Sequence, residues 1–238
     1  MNEPLPINIT ELIHPFVNTI PDIDELFVAK NKEGYIVNIN SFTKRVDDLA
    51  DKYQDTGANH DNGEKHDWAV FKGDALEVLV EYLIKTSGHD NRIGIYGYTP
   101  IEKSDDCGVD GIGIGENKNP ATIQVKYRTG DYVLEMNKDH LGNFTNASWG
   151  KYNVFQTDTK NMLLVTTAND IHYTVQELCF FNKVRVLNRD NLREMLDNRP
   201  MFWQGFWESM KQSRVKPIDV TPKTLREHQQ EAINAIYE

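Results

Sequence analysis

Leu76, Val80, Leu83 and Ile84 recur at helical spacing, with Glu77 and Glu81 carried on the opposite face, so the chain from Trp68 predicts an amphipathic helix. Gly88 closes it. Three strand-like runs follow, Arg92 to Tyr98, Val109 to Gly115 and Thr122 to Arg128, parted by Asp/Gly and Glu-Asn-Lys-Asn turns. Asn137 to Trp149 is polar and predicts a helix, and the MLLVTT run from Met162 to Thr167 suits a strand buried on both faces. Val184 to Leu187 predicts a short strand and Asp190 to Leu196 a helix. Met201 to Met210 predicts a helix whose stripe of Phe202, Trp203, Phe206 and Trp207 fits a docking seam better than a platform for stacking bases. Helix, three strands, helix, strand: this order specifies a mixed α/β domain around a central sheet.

The flanks read differently. Asn8 with Glu11 three residues on forms a capping-box pattern ahead of Leu12, Phe16 and Ile20, predicting a helix over Asn8 to Ile20, and Ser41 to Tyr53 again reads helical. Between Gln54 and Asp67 the sequence QDTGANHDNGEKHD has almost nothing to bury and marks a domain boundary. Residues 211–223 hold two prolines and no periodicity, a second linker, and Thr224 to Tyr237 restarts as a helix. The expected organisation is a mainly helical extension over 1–67, an α/β domain over 68–210, a linker over 211–223 and the start of another domain over 224–238.

Composition narrows the class. With 238 residues, 39% hydrophobic and 26% charged, the chain has enough core to fold without disulfides or a structural metal. Cys107 and Cys179 are too few for a Cys-based zinc site and fit a reducing compartment. No apolar run exceeds four residues, which excludes a membrane-spanning helix, and the opening MNEPLPINIT has an acid and two prolines where a signal peptide is basic and then apolar. The expected location is the cytoplasm. A net charge of −10 seems to exclude a nucleic-acid partner, but −7 of it lies in residues 1–68. Lys183 to Arg226 carries ten basic against five acidic residues, a stretch able to face phosphates.

Chemistry concentrates in SDDCGVDGIGIGENKNPATIQVKYR. Asp110 opens one strand, and after thirteen intervening residues Gln124 and Lys126 occupy the next. Alternation along a strand puts Gln124 and Lys126 on one face and Val125 on the other, and a hairpin brings Asp110 beside them, with Glu77 available from the helix before. Asp110, the Gln124 amide oxygen and the Val125 carbonyl are the hard oxygen donors that Mg²⁺ or Mn²⁺ takes, and Lys126 is placed to orient a water and offset charge growing on a phosphate. The set suits phosphodiester hydrolysis. Lys72, Lys103 and Arg128 are candidate phosphate contacts; His60, His66 and His89 lie in loops without ligand spacing.

An Asp, then Glu or Gln, any residue and Lys on adjacent strands, after a helix bearing Glu, resembles the PD-(D/E)xK nuclease superfamily. The segments KGDALEVLVEYLIKTSG, DDCGVDGIG, IQVKYR, LLVTTA and VRVLNRDNLREML stand in the order shown by its Mrr-type restriction endonuclease branch, where Gln takes the Glu position. The resemblance covers about Trp68 to Asn198. It implies a restriction-endonuclease-like fold, catalytic roles for Asp110, Gln124 and Lys126, and a metal or supporting role for Glu77. The tail TPKTLREHQQEAINAIYE is similar to the opening of superfamily 2 helicases, which would make Gln229 or Gln230 an adenine-reading residue. No phosphate-cradling loop follows, so ATP enters only through a helicase part beyond these residues. The implied protein is a magnesium-dependent DNA endonuclease module acting on double-stranded DNA, covalently linked to a helicase, in restriction or phage DNA processing. The rival is a DNA-binding or protein-docking module with an inactive nuclease fold.

Overall fold

Five strands organise the chain. The computed structural model describes residues 7–19, 38–55, 68–102, 107–137, 139–155, 161–199 and 201–214. The sheet runs in the order β1 (Ile95–Pro100), β2 (Gly111–Gly115), β3 (Pro120–Lys126), β5 (Met162–Thr166) and β7 (Val184–Leu187). β1, β2 and β3 are antiparallel, whereas β3, β5 and β7 are parallel, in register Val125 to Val165 and Leu164 to Val186. β4 (Val133–Leu134) and β6 (Asp170–Ile171) form a separate parallel pair that the apolar pattern did not predict, because two residues give no period.

β5 is buried at all five positions, as its unbroken apolar run requires, since helices cover both faces. On one face Ile123, Val125 and Tyr127 of the β3 region pack with α3 (Trp68–Ser87). That core also takes in Phe16 and Val17 of α1 (Phe16–Thr19), Phe42 and Val46 of α2 (Ile39–Asp55), Leu192 of α6 (Arg189–Asp197) and Phe206 of α7 (Phe202–Ser213). On the other face Leu164 packs with Phe144 of α4 (Leu141–Gly150) and Val175 of α5 (Tyr173–Phe181). The result is a mixed α/β architecture with helices on both sides of the sheet. α5 is an element the sequence pattern missed; its exposed Tyr173, Phe180 and Phe181 obscure the short buried stripe of Val175 and Cys179.

The aromatic stripe of α7 is a docking seam. Phe202, Trp203 and Phe206 are buried, Trp203 and Phe206 lie 5.8 and 6.2 Å from the Phe42 ring, and Tyr82 packs edge-on to Phe202 at 5.1 Å. Residues on both sides of the polar 54–67 segment therefore share one core, even though their composition differs.

The N-terminal segment departs most from expectation. The helix predicted over Asn8 to Ile20 is a single turn, Phe16–Thr19, preceded by a chain without helical structure. Pro15 explains the break: it has no N–H to donate and pushes His14 out of the helical region. Side chains of α3 and α7 satisfy the segment's backbone instead. Thr10 N–H donates to Ser209 Oγ at 3.0 Å and Leu12 N–H to Ser213 Oγ at 2.7 Å. Tyr82 O–H donates to the Asn8 carbonyl at 2.6 Å, an approach that needs glycine at position 205, where a Cβ would stand 2.2 Å from the Tyr82 hydroxyl. Glu81, on the α3 face read as solvent-facing, is instead fully buried under this segment.

Candidate functional site

The site is built from the N-terminal half of α3 and the adjoining ends of β2 and β3. They enclose a cleft of about 300 Å³ lined by Gly73, Asp74, Glu77, Asp110, Val125, Lys126 and Arg128, among others. Asp110 is anchored to β3 twice. Its N–H donates to the Ile123 carbonyl at 2.9 Å, and its Oδ2 accepts from Val125 N–H at 2.6 Å, so the carboxylate continues the ladder where β2 begins. Glycine at 111 lets Tyr98 cross beside it, since a Cβ there would meet the Tyr98 ring at 2.4 Å. The Tyr98 hydroxyl donates to the Asp110 carbonyl at 3.3 Å. Burial, followed by the negative charges of Glu77, Asp110, Glu81 and Asp74, pushes this phenol well above the ordinary tyrosine range.

Of the residues picked out in the sequence, Glu77, Asp110, Val125, Lys126 and Arg128 meet at this cleft. Gln124 does not line it. Its side chain is fully buried, with the amide nitrogen against Gly108, and neither amide atom has a hydrogen-bond partner among the described residues. A buried amide left without partners costs about 1–3 kcal/mol. Arg128 is committed to Asp139, donating through Nε at 2.8 Å and through Nη2, and it lies 5.3 Å from the Tyr132 ring centroid. Lys72 is paired with Asp47 at 2.9 Å. Lys103, Gln229 and Gln230 lie outside the described residues.

Three participants escaped the sequence reading. Asp74 stands one turn before Glu77, a spacing that was open to inspection. Tyr98 and His14 gave no signal; His14 reaches Glu77, 63 positions away, at 2.9 Å. The ligand-capable atoms of His14, Asp74 and Glu77 lie within 4.8 Å of one another. With Asp110 close by, the carboxylate-rich donor set fits a divalent cation that prefers oxygen.

A mixed α/β sheet carrying three carboxylates and a lysine around one cleft is thus the class that fold and site define. No protein-family profile and no curated protein matches the chain. Among solved structures it is similar to the DNA-bound ATP-dependent Type ISP restriction-modification enzyme LlaBIII, at 17% identity and a TM-score of 0.36, over 71% of this chain and 10% of that one. It is also similar to protein VC1899 from Vibrio cholerae, at 12% identity and a TM-score of 0.38, over 81% and 52% of the two chains. A third is the MspJI restriction endonuclease in complex with a 27-mer oligonucleotide, at 14% and 0.39, over 87% and 42%. The chain thus spans from a tenth to about half of the length of these proteins. At such TM-scores the fold assignment rests on the chain's own sheet and helices. No helix among the described residues is long and apolar enough to cross a membrane.

Proposed function

We propose that the chain is a metal-dependent deoxyribonuclease module that hydrolyses phosphodiester bonds of double-stranded DNA. The observation that carries this reading is the meeting of Asp110 and Lys126, from neighbouring strands, with Asp74 and Glu77 of α3 around a single cleft. In this reading Asp110, Glu77 and the Val125 carbonyl hold Mg²⁺ or Mn²⁺, with Asp74 beside them, while the Gln124 amide, buried outside the cleft, holds no ion where it lies. When bound, the ion supplies Lewis-acid polarisation of the phosphate and a water of lowered pKa. Lys126 orients the attacking water and offsets charge that grows on the phosphate. The Val125 N–H fixes one Asp110 oxygen, which keeps the carboxylate from swinging away as DNA enters. Arg128, Lys72 and Lys103 add positive charge along the DNA path, Arg128 and Lys72 sharing their donors with Asp139 and Asp47.

The finer reading places the module in the Gln variant of the Mrr-type branch, joined to a helicase whose ATP site would include Gln229 or Gln230, in the cytoplasm of a bacterium or of a phage-infected cell. A burial observation favours the second reading, an inactive nuclease fold that binds DNA or a protein: Gln124 lies outside the lining of the cleft. Incubation with linear and supercoiled duplex DNA separates the two. Mg²⁺ or Mn²⁺ supporting cleavage, and Ca²⁺ only binding, is the result expected of the enzyme. DNA binding without cleavage under any of these ions establishes the second reading, and cleavage undiminished in EDTA refutes metal dependence.

A further inference from the structure

We propose that His14, from the N-terminal segment, is a positioning residue that holds the Glu77 carboxylate in its metal-binding orientation; this rests on the nuclease reading of the cleft. His14 is not itself the ligand. Its Nδ1 accepts a hydrogen bond from Phe16 N–H at 3.2 Å, which requires a lone pair on Nδ1. The ring proton therefore sits on Nε2 and donates to Glu77 Oε2 at 2.9 Å. An imidazole that ligated a metal through Nε2 would carry its proton on Nδ1, against the Phe16 N–H. The arrangement is that of a histidine gripping a carboxylate from behind, with the carboxylate's remaining capacity directed to the cation.

The grip is built rather than incidental. The His14 side chain is 6% exposed. Its own N–H donates to Glu81 Oε2 at 3.1 Å, and that of Ile13 to Glu81 Oε1 at 2.7 Å. Lys85 closes the clamp, donating to Glu81 Oε1 at 2.6 Å and to the Glu11 carbonyl at 2.7 Å. One buried carboxylate of α3 thus fixes the backbone of the segment whose side chain orients the next carboxylate along the same helix. The segment 7–17 lines no part of the cleft and reaches it only through His14 behind Glu77, although its sequence lies far from the nuclease motif.

Two near-isosteres distinguish positioning from mere packing. Gln at position 14 places an amide N–H near the site of Nε2 and can still donate to Glu77; Asn places its oxygen near Nδ1, keeping the Phe16 contact but falling short of Glu77. The experiment measures Mn²⁺ binding by electron paramagnetic resonance, with an uncleavable phosphorothioate duplex, together with the Mg²⁺ concentration for half-maximal cleavage and the melting temperature. His14→Ala and His14→Asn should each weaken Mn²⁺ binding about tenfold or more, with His14→Gln remaining within about threefold of the unsubstituted chain. Nitrogen NMR of the unsubstituted chain should show a His14 Nδ1 without a proton. Unchanged Mn²⁺ affinity in His14→Ala, or an Asn variant that binds Mn²⁺ better than the Gln variant, overturns the proposal, as does a protonated Nδ1. The nuclease reading fails separately, through Asp110→Asn retaining full cleavage while Mn²⁺ still binds. A chain that neither binds Mn²⁺ nor cleaves overturns both.

Discussion

Glu77 and Glu81 stand one turn apart on the same helix, yet their surroundings differ completely. Glu81 is fully buried and satisfied from three sides, by the N–H groups of Ile13 and His14 and by the Lys85 ammonium. Glu77 lines an open cleft with Asp74 and Asp110, and among the described residues receives the His14 donor. The first arrangement neutralises a charge within the fold; the second concentrates negative charge where a cation can compensate it. An acidic residue's role in this helix is set by what covers it, not by its periodicity.

The comparison is broken most sharply by substitutions at the cleft. Asp110→Asn and Lys126→Met are expected to lower the cleavage rate by about 10²–10³-fold or more, with the melting temperature and duplex affinity in Ca²⁺ nearly unchanged. Wild-type rates in either variant would remove these residues from the chemistry. Glu81→Ala should act in the opposite sense. Leaving the Lys85 ammonium and two backbone N–H groups without their acceptor is expected to cost about 3–5 kcal/mol, read from urea unfolding, whereas Glu77→Gln should cost little. Equal losses in the two variants would erase the distinction drawn between them.

Asp90 sharpens the comparison, as a carboxylate satisfied chiefly by arginine side chains, with the Arg92 N–H donating as well at 3.0 Å. Its hydrogen bonds with Arg92, followed by the charges of Arg92 and Arg199, hold its carboxyl at about 2, below the ordinary 3.8. Since the folded value is the lower one, the stabilisation is present in full above the unfolded pKa and is lost as pH falls from about 4 toward 2. Asp90→Asn should flatten that part of the stability-against-pH curve; an unaltered curve would show the pair contributes nothing. The smallest effect belongs to Lys72→Ala. It breaks a partly exposed pair with Asp47, and the expected loss is within about 1 kcal/mol in stability and a few-fold in DNA affinity. A tenfold or greater loss of affinity would make Lys72 a direct phosphate contact.

Much was legible in the sequence. Turn residues parted the strand-like runs, the MLLVTT run announced a strand covered on both faces, and the α7 aromatics announced a docked helix, because each signal lies within a few residues. Hairpin geometry, a local property, brought Asp110 to β3, but beside Gln124 and Lys126 by expectation, whereas its carboxylate accepts from Val125 N–H. Tertiary structure alone decided the rest. The 7–14 segment is placed by serines, a glutamate and a tyrosine that belong to α3 and α7, and no local pattern encodes partners about 70 and 200 positions away. The burial of Glu81, the histidine behind Glu77 and the placement of Gln124 beside Gly108 all depend on such remote contacts. Side-chain spacing fixes which face a residue occupies; only the packed chain fixes what lies against that face, because desolvation and hydrogen bonding depend on neighbours in space.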